Sequence, residues 1–358
     1  YLKSNNQRTY SMTEVGQSPI KIFSKTEGDK YSMIGEAIYE RPLWKGKFTT
    51  GMKHTQSTMD NVYDGDALTK VSMNTAETSL FAEYQSKVGK LNYTLGMGAL
   101  RTFYKQGNTS QEKYFFRPTL NLSYSLGKVF LRYNASMSGY APSLSALSNV
   151  EQSMDAYQVR RGNPNLKSVT YFTNRLSASY RNKWMNVDMS ARYSYDNKPI
   201  MEETIYEDGK FVRTYANQKG LHRLMCQTSI QVRPFKEYLS INMTPFFNRY
   251  ISQGNAYLHT HSNWGFRGSI VGMYKHWVFM ADMNTSHHDL EGETITKGES
   301  IHSIALGYNK GKWAVQMMVW NLFTDDYHQG VENVSKLAPN RQLAFSKDFA
   351  RMVMLNIS

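Results

Sequence analysis

The sequence lacks most of what a disulfide-stapled, helical-membrane or phosphate-binding protein needs. Cys226 is its single cysteine, which excludes a disulfide framework and any zinc motif built on paired cysteines. That thiol reads as a small, half-buried apolar residue. No apolar run approaches the roughly 18–20 residues of a membrane helix, and mean hydropathy is −0.55, so helical spans are excluded. Proline is scarce, at 9 of 358 residues. No Pro-rich or Gly/Ser-rich linker divides the chain, so one domain is expected. The chain opens on Tyr1 without a Met, a basic n-region or an apolar h-region, so no signal peptide is visible. No convincing helix is present, and no Gly-rich loop precedes one. Glu202–Glu203 and Asp325–Asp326 stand without a nucleophile or base beside them. No catalytic constellation is recognisable, and an enzyme is not expected.

Charge is plentiful but dispersed. Lys and Arg number 42 against 29 Asp and Glu, a formal charge of +13. The basic residues are spread along the whole length rather than gathered in a block, which argues against a nucleic-acid partner. Aromatics make up 13%, with 25 Tyr and 17 Phe.

What is present is alternation. Leu120, Leu122 and Tyr124 alternate with Asn121, Ser123 and Ser125. Val187, Met189, Ala191, Tyr193 and Tyr195 alternate with Asp188, Ser190, Arg192 and Ser194. Leu239, Ile241 and Met243 alternate with Ser240, Asn242 and Thr244. Period two means a strand with one apolar and one polar face. Runs of about ten residues exceed the five or six usual in globular sheets and match the length that crosses a bilayer.

Short turns are expected at Pro42–Lys45, Lys87–Lys90, Leu126–Lys128, Arg181–Lys183, Pro234–Glu237, Gly272–Lys275 and Asn309–Lys312. Between them lie longer polar connections, Gln106–Lys113, Tyr140–Ser168, Asn197–Gly220 and His287–Ser300. Tight turns at one end and long loops at the other are the periplasmic and extracellular ends of an outer-membrane barrel. Seven hairpins and the strand Phe349–Ser358 give about fifteen strands. The fold class expected is all-β, a transmembrane antiparallel up-and-down barrel.

Rings at the turns support the orientation. Trp44, Trp184, Tyr238, Trp277 and Trp313 lie in or beside short turns, where an aromatic girdle meets the headgroups. Tyr104, Tyr114, Tyr140, Tyr195 and Tyr250 are expected to form the opposite girdle. Arg132, Arg192, Asp188 and Asn242 are expected to face the lumen and Met189 the lipid, because an Arg facing lipid at mid-bilayer costs about 2–4 kcal/mol.

Two segments carry a resemblance. Arg160–Lys167 reads RRGNPNLK before the strand Val169–Tyr180, and Trp320–Tyr327 reads WNLFTDDY after the strand Trp313–Val319. Both resemble signatures of TonB-dependent receptors, closest to the outer-membrane-protein β-barrel family, over Tyr31 to Ser358. The residues carrying it are Arg161, Gly162, Asn163, Pro164, Asn165, Leu166, Asn321, Leu322, Phe323 and Tyr327. The sequence departs from the pattern at Ser168 and Val169, where Pro-Glu is usual, and at Thr324. Gly162 supplies a flexible point, Pro164 fixes φ, and Asn163 and Asn165 can bond their own backbone, so Gly162–Leu166 reads as a structural turn.

The resemblance implies a barrel of 22 strands filled by a plug. Residues 1–358 would be part of that barrel, with the first strands, the plug and the energy-coupling segment upstream. It implies uptake of a scarce nutrient (siderophore, haem, cobalamin, glycan or peptide) driven through the TonB complex. Outer-membrane lipid and lipopolysaccharide, and a surface lipoprotein, are further expected partners. The candidates for ligand contact are Arg160, Arg161, His287, His288 and Asp289. His259 and His261 share one strand face with two-residue spacing, but two imidazoles without a visible third ligand make a weak metal signal. No cofactor is expected. A non-energised barrel, porin-like or an adhesin or scaffold, is the alternative, and the upstream sequence discriminates.

Overall fold

A computed structural model describes residues 2–12, 20–64, 69–107, 109–154, 157–323, 327–346 and 351–357. One large antiparallel sheet runs through the chain as a meander. Its first part comprises β1 (Leu2–Met12), β2 (Ile20–Leu43), β3 (Gly46–Asp64), β4 (Thr69–Val88), β5 (Leu91–Gln106), β6 (Thr109–Phe116), β7 (Thr119–Leu126) and β8 (Val129–Tyr140). A connection follows with one helical turn, α1 (Leu144–Leu147), and the short strands β9 (Gln152–Ser153) and β10 (Gln158–Arg160). The wall resumes with β11 (Val169–Arg181) and β12 (Met185–Asn197), then rises into the hairpin β13 (Ile200–Glu207) and β14 (Lys210–Asn217). Next come β15 (Gly220–Val232), β16 (Leu239–Gln253), β17 (Leu258–Tyr274) and β18 (Trp277–Asn284). A second raised hairpin, β19 (His288–Glu291) and β20 (Thr294–Lys297), precedes β21 (Ile301–Lys310) and β22 (Trp313–Trp320). Finally β23 (Tyr327–Asn333) and β24 (Asn340–Ser346) form a third hairpin before β25 (Met352–Ile357).

β6 and β7 both pair with β5, at successive levels. They are one wall strand interrupted at Arg117–Pro118, where Pro118 cannot donate to the ladder and the Arg117 N–H bonds Gly98 O at 2.8 Å. Counted so, the wall has sixteen strands among the described residues, one more than the alternation predicts, because β1 pairs with β2 ahead of Tyr31. Among the described residues, β1 and β25 each pair on one side and not with each other. The expected stretch Gln106–Lys113 is not a long loop, since β5 and β6 pair up to Gln106↔Thr109.

The two-sided character follows the alternation. In register across four strands stand Leu131, Ala178, Met189 and Thr228; the neighbouring row holds Arg132, Ser177, Ser190 and Gln227. Met189 thus lies on the apolar face, while Arg132, Asp188 and Arg192 lie on the polar one. Asn242 joins the polar face through Gln231 and donates to Ser269 Oγ at 3.1 Å. The same face of β16 carries Asn248, Tyr250 and Ser252, all three of which bond to the raised hairpins. The connections at the loop end therefore fold over the polar face, which makes it the interior.

The two ends differ as expected. At one end Trp44–Lys45, Gly89–Lys90, Gly127–Lys128, Lys275–His276 and Gly311–Lys312 make two-residue turns. Their first residue has left-handed backbone, with φ of 50°, 59°, 57°, 53° and 63°, which reverses a twisted strand pair without splaying it. At the other end the raised hairpins assemble into two four-stranded sheets, β13-β14-β10-β9 and β19-β20-β23-β24.

Candidate functional site

The loop end contains the side chains best placed to meet a ligand. β19 and β20 sit against the upper ends of β16 and β17. Tyr250 OH donates to Asp289 Oδ1 at 2.6 Å. Asn248 Nδ2 donates to His287 Nδ1 at 3.2 Å, which leaves the proton of a neutral His287 on Nε2, 3.2 Å from Asp289 Oδ1. The His288 N–H donates to Asn263 Oδ1 at 3.3 Å. His288 Nδ1 and His261 Nε2 face each other at 3.1 Å, with rings 20° from parallel. Burial, and then the neighbouring His261, lower the pKa of His288 below the ordinary histidine value, so its ring is neutral at pH 7. On the same hairpin, burial raises the Glu291 carboxyl above the usual range.

His259 lies one step higher on β17. Its ring stacks on Tyr257 at 5.0 Å and its Nε2 is 3.8 Å from Glu293 Oε1. The structure thus gathers His259, His261, His287, His288 and Asp289 from a wall strand and a loop far apart in sequence. Among the described residues, no three His, Cys, Asp or Glu side chains converge as a group that could hold a metal ion.

A single residue ties the two loop sheets to the wall. Met201, 1% exposed on β13, accepts through Sδ from the Gly292 N–H at 3.3 Å and lies 3.5 Å from Ser252 Oγ. Ser252 Oγ donates to Gly292 O at 2.8 Å. Gly292 is left-handed, with φ of 62°, and a Cβ there would sit 2.8 Å from Glu202 O. Glu293 adds a link by accepting from the Thr204 N–H at 3.2 Å.

Arg160 and Arg161 are engaged within this cap. Arg160 Nη2 donates to Glu202 Oε1 at 3.0 Å, and Arg161 pairs with Glu151 at 3.3 Å and with Glu207. Any ligand for these guanidiniums would compete with three carboxylates. The motif after them is packed tightly. Gly162 is not a flexible point: a Cβ would meet Ala146 O at 2.4 Å and Ser148 O at 2.5 Å, and its own N–H bonds Ser148 O. Close backbone approach to the α1 connection requires glycine here. Asn163 Oδ1 accepts from the Asn165 N–H at 2.9 Å, closing a turn around Pro164, and its Nδ2 reaches Tyr215 O at 3.0 Å. Leu166 is buried with Ala146, Leu147, Met73 and Tyr104.

In the second motif Asn321 is buried with φ of 50°. Its N–H bonds His302 O at 2.6 Å, and its Oδ1 accepts from the His302 N–H at 3.3 Å. Leu322 is half-buried, and Phe323 is exposed against the His302 ring. Tyr327 opens β23, while Thr324, Asp325 and Asp326 lie outside the described residues. Trp44, Trp184, Tyr238, Trp277 and Trp313 are all exposed at the tight-turn end. The opposite set of tyrosines is corrected in three places. Tyr104 and Tyr250, at 7% and 1% exposure, point inward and pack under the cap, and Tyr140 shares the face of Arg132 beside Tyr171, because their strand parity puts all three on the polar face.

Other contacts escaped the sequence reading. Arg223 Nη2 grips both carboxylate oxygens of Asp196 at 2.8 and 2.7 Å, and the residues that hold the histidines, Asn248, Asn263 and Tyr250, carry no motif. Parity along β12, β15, β16 and β17 was the available signal; the pairing of the strands was not.

Among solved structures the chain is similar to "Copper transporter OprC", with a TM-score of 0.71 and 9% identity over 99% of this chain and 61% of that one. It is similar to the FrpB iron transporter from Neisseria meningitidis (F3-3 variant), with a TM-score of 0.62, 10% identity, and 99% and 62% coverage. It is also similar to the unliganded ferric citrate transporter FecA, with a TM-score of 0.65, 12% identity, and 99% and 57% coverage. At such identities the likeness is one of fold, and the chain spans about three fifths of each of those proteins. No curated protein matches the sequence. The outer membrane protein beta-barrel family matches residues 1–358; with the two-faced meander and its asymmetric ends, the chain belongs to that family and is a β-barrel protein of the outer membrane.

Proposed function

We propose that this chain forms wall and extracellular cap of a TonB-dependent receptor that takes up a scarce nutrient. The observation that carries the reading is the cap itself. Two loop sheets fold over the polar interior face and bring histidine, carboxylate and tyrosine groups to its mouth, which suits a receptor that recognises cargo before passage. The folds it resembles bear the names of copper, iron and ferric citrate transporters, and the TonB-type signature residues build the cap rather than line a catalytic centre. Binding, not chemistry, is the role assigned to these loops. The plug, and the segment that contacts TonB, belong to sequence upstream of Tyr1 in this reading. The aromatic rings at the tight-turn end serve as the periplasmic girdle.

Deletion of the gene tests the reading by growth on limiting iron, copper, zinc, cobalamin, or a glycan or peptide as sole carbon source. Impaired growth on one nutrient, reproduced by loss of TonB and rescued by the intact gene, is expected. A defect that persists unchanged whether or not TonB works would favour a non-energised barrel.

A further inference from the structure

We propose that His261 and His288 form a capture site for a borderline divalent cation (Cu2+, Zn2+ or Ni2+) at the mouth of the barrel. The first observation is distance. Two imidazole nitrogens bound to one ion at about 2.0–2.1 Å, at angles between square-planar and tetrahedral, stand about 2.9–3.4 Å apart. His261 Nε2 and His288 Nδ1 are 3.1 Å apart, which is the spacing of two nitrogens on one ion. The second is support. His288 is held through its backbone by Asn263 Oδ1, and its neighbours His287 and Asp289 are fixed by Asn248 and Tyr250. Groups that orient the ligand-bearing segment in this way are what a binding site needs around it.

Charge favours a cation there. The hairpin carries Asp289, Glu291 and Glu293. The cation facing the pair, Lys297, is neutralised by Glu332 at 2.6 Å, and Arg223 is spent on Asp196. With two protein ligands the coordination sphere stays open, unlike the closed four-ligand sphere of a structural zinc site. Water or donor atoms brought by the cargo would complete it. Such a site binds reversibly, as uptake requires, and it draws the β19–β20 hairpin onto β17. The site gives the uptake reading a substrate class, and its purpose rests on that reading.

The test uses the untagged full chain in detergent micelles, stripped with chelator and titrated with CuCl2, with calorimetry and electron paramagnetic resonance as readouts. One equivalent of Cu2+ with imidazole nitrogen splitting is expected. His261→Gln and His288→Gln should each weaken binding at least tenfold. His276→Gln, at a tight turn on the opposite end, should leave it unchanged. Glutamine keeps a hydrogen-bonding side chain, and heat-modifiable gel mobility verifies that each variant is folded. If the unaltered chain shows no nitrogen-coupled copper, or both glutamine variants bind equally well, the proposal fails and the contact is a hydrogen bond between neutral rings. Copper binding without TonB-dependent uptake would keep the site and sink the receptor reading; TonB-dependent uptake of a nutrient without copper binding would do the reverse.

Discussion

The two ends of this barrel solve opposite problems. At the tight-turn end, two residues suffice to reverse most strand pairs, and the side chains there are exposed aromatics and lysines that pack on little else. At the loop end, three hairpins bond to one another and to the wall until Met201, Leu290, Ser252 and Gln218 lose almost all contact with solvent. The first end needs local geometry alone. The second depends on contacts between segments tens of residues apart, such as Met201 with Gly292. Turns are thus cheap to specify and carry no recognition, whereas the cap is where binding groups can be held in place.

Substitutions can break or sharpen that contrast. The largest effect is expected from the wall that both ends share. Met189→Arg puts a charge on the apolar face at a cost of about 2–4 kcal/mol and should abolish assembly, while Arg192→Ala on the polar face should assemble normally. Heat-modifiable mobility of outer-membrane fractions reads the difference, and equal tolerance would overturn the face assignment.

At the loop end of the wall, Arg223→Ala strands the nearly buried Asp196 carboxylate. Breaking a fully buried pair costs about 3–5 kcal/mol; with Arg223 partly exposed, about 1–3 kcal/mol is expected, measured as a lower unfolding midpoint in detergent. Gly162→Ala forces two carbonyls aside and should cost about 1–3 kcal/mol. Its signature is local, namely faster proteolysis between Tyr140 and Ser168 with the wall intact.

Acid should loosen the cap before the wall. The pKa of His288 is lowered in the folded state, so the unfolded hairpin binds the proton more readily. Stability from this group is complete above the ordinary histidine value of about 6.5. It falls as pH drops below that value and on through the lowered one. Protection factors of the His288–Lys297 amides, each corrected for the intrinsic exchange rate at its pH, should fall as pH drops through the histidine range, with the tight turns unchanged. Loss of protection everywhere would mean that the cap is not a separate unit.

The smallest effect is expected at Trp44. Its left-handed backbone costs about 1–2 kcal/mol for a residue with a Cβ, which Trp44→Gly relieves while removing a ring that also meets Tyr84 edge-on at 6.0 Å. The two changes oppose each other. Detergent stability should hardly move, while depth-dependent quenching in vesicles, read through the remaining tryptophans, should report a shifted turn if the ring anchors it.

The sequence by itself determined the wall: the alternation set two faces, the Gly-Lys and Trp-Lys pairs set the reversals, and the family signature set the architecture. These are local properties, because a strand's face and a two-residue turn depend on residues adjacent in the chain. It also marked His287, His288 and Asp289, and separately His259 and His261, as possible ligands. Only the tertiary structure brought His261 to within 3.1 Å of His288, turned Tyr104 and Tyr250 inward beneath the loops, and bound Arg160 and Arg161 to carboxylates of their own cap. The reason is that the β19–β20 hairpin belongs to a separate sheet and meets β16 and β17 through side-chain hydrogen bonds between residues far apart in the chain. Spacing along one chain does not encode which residue another strand will face.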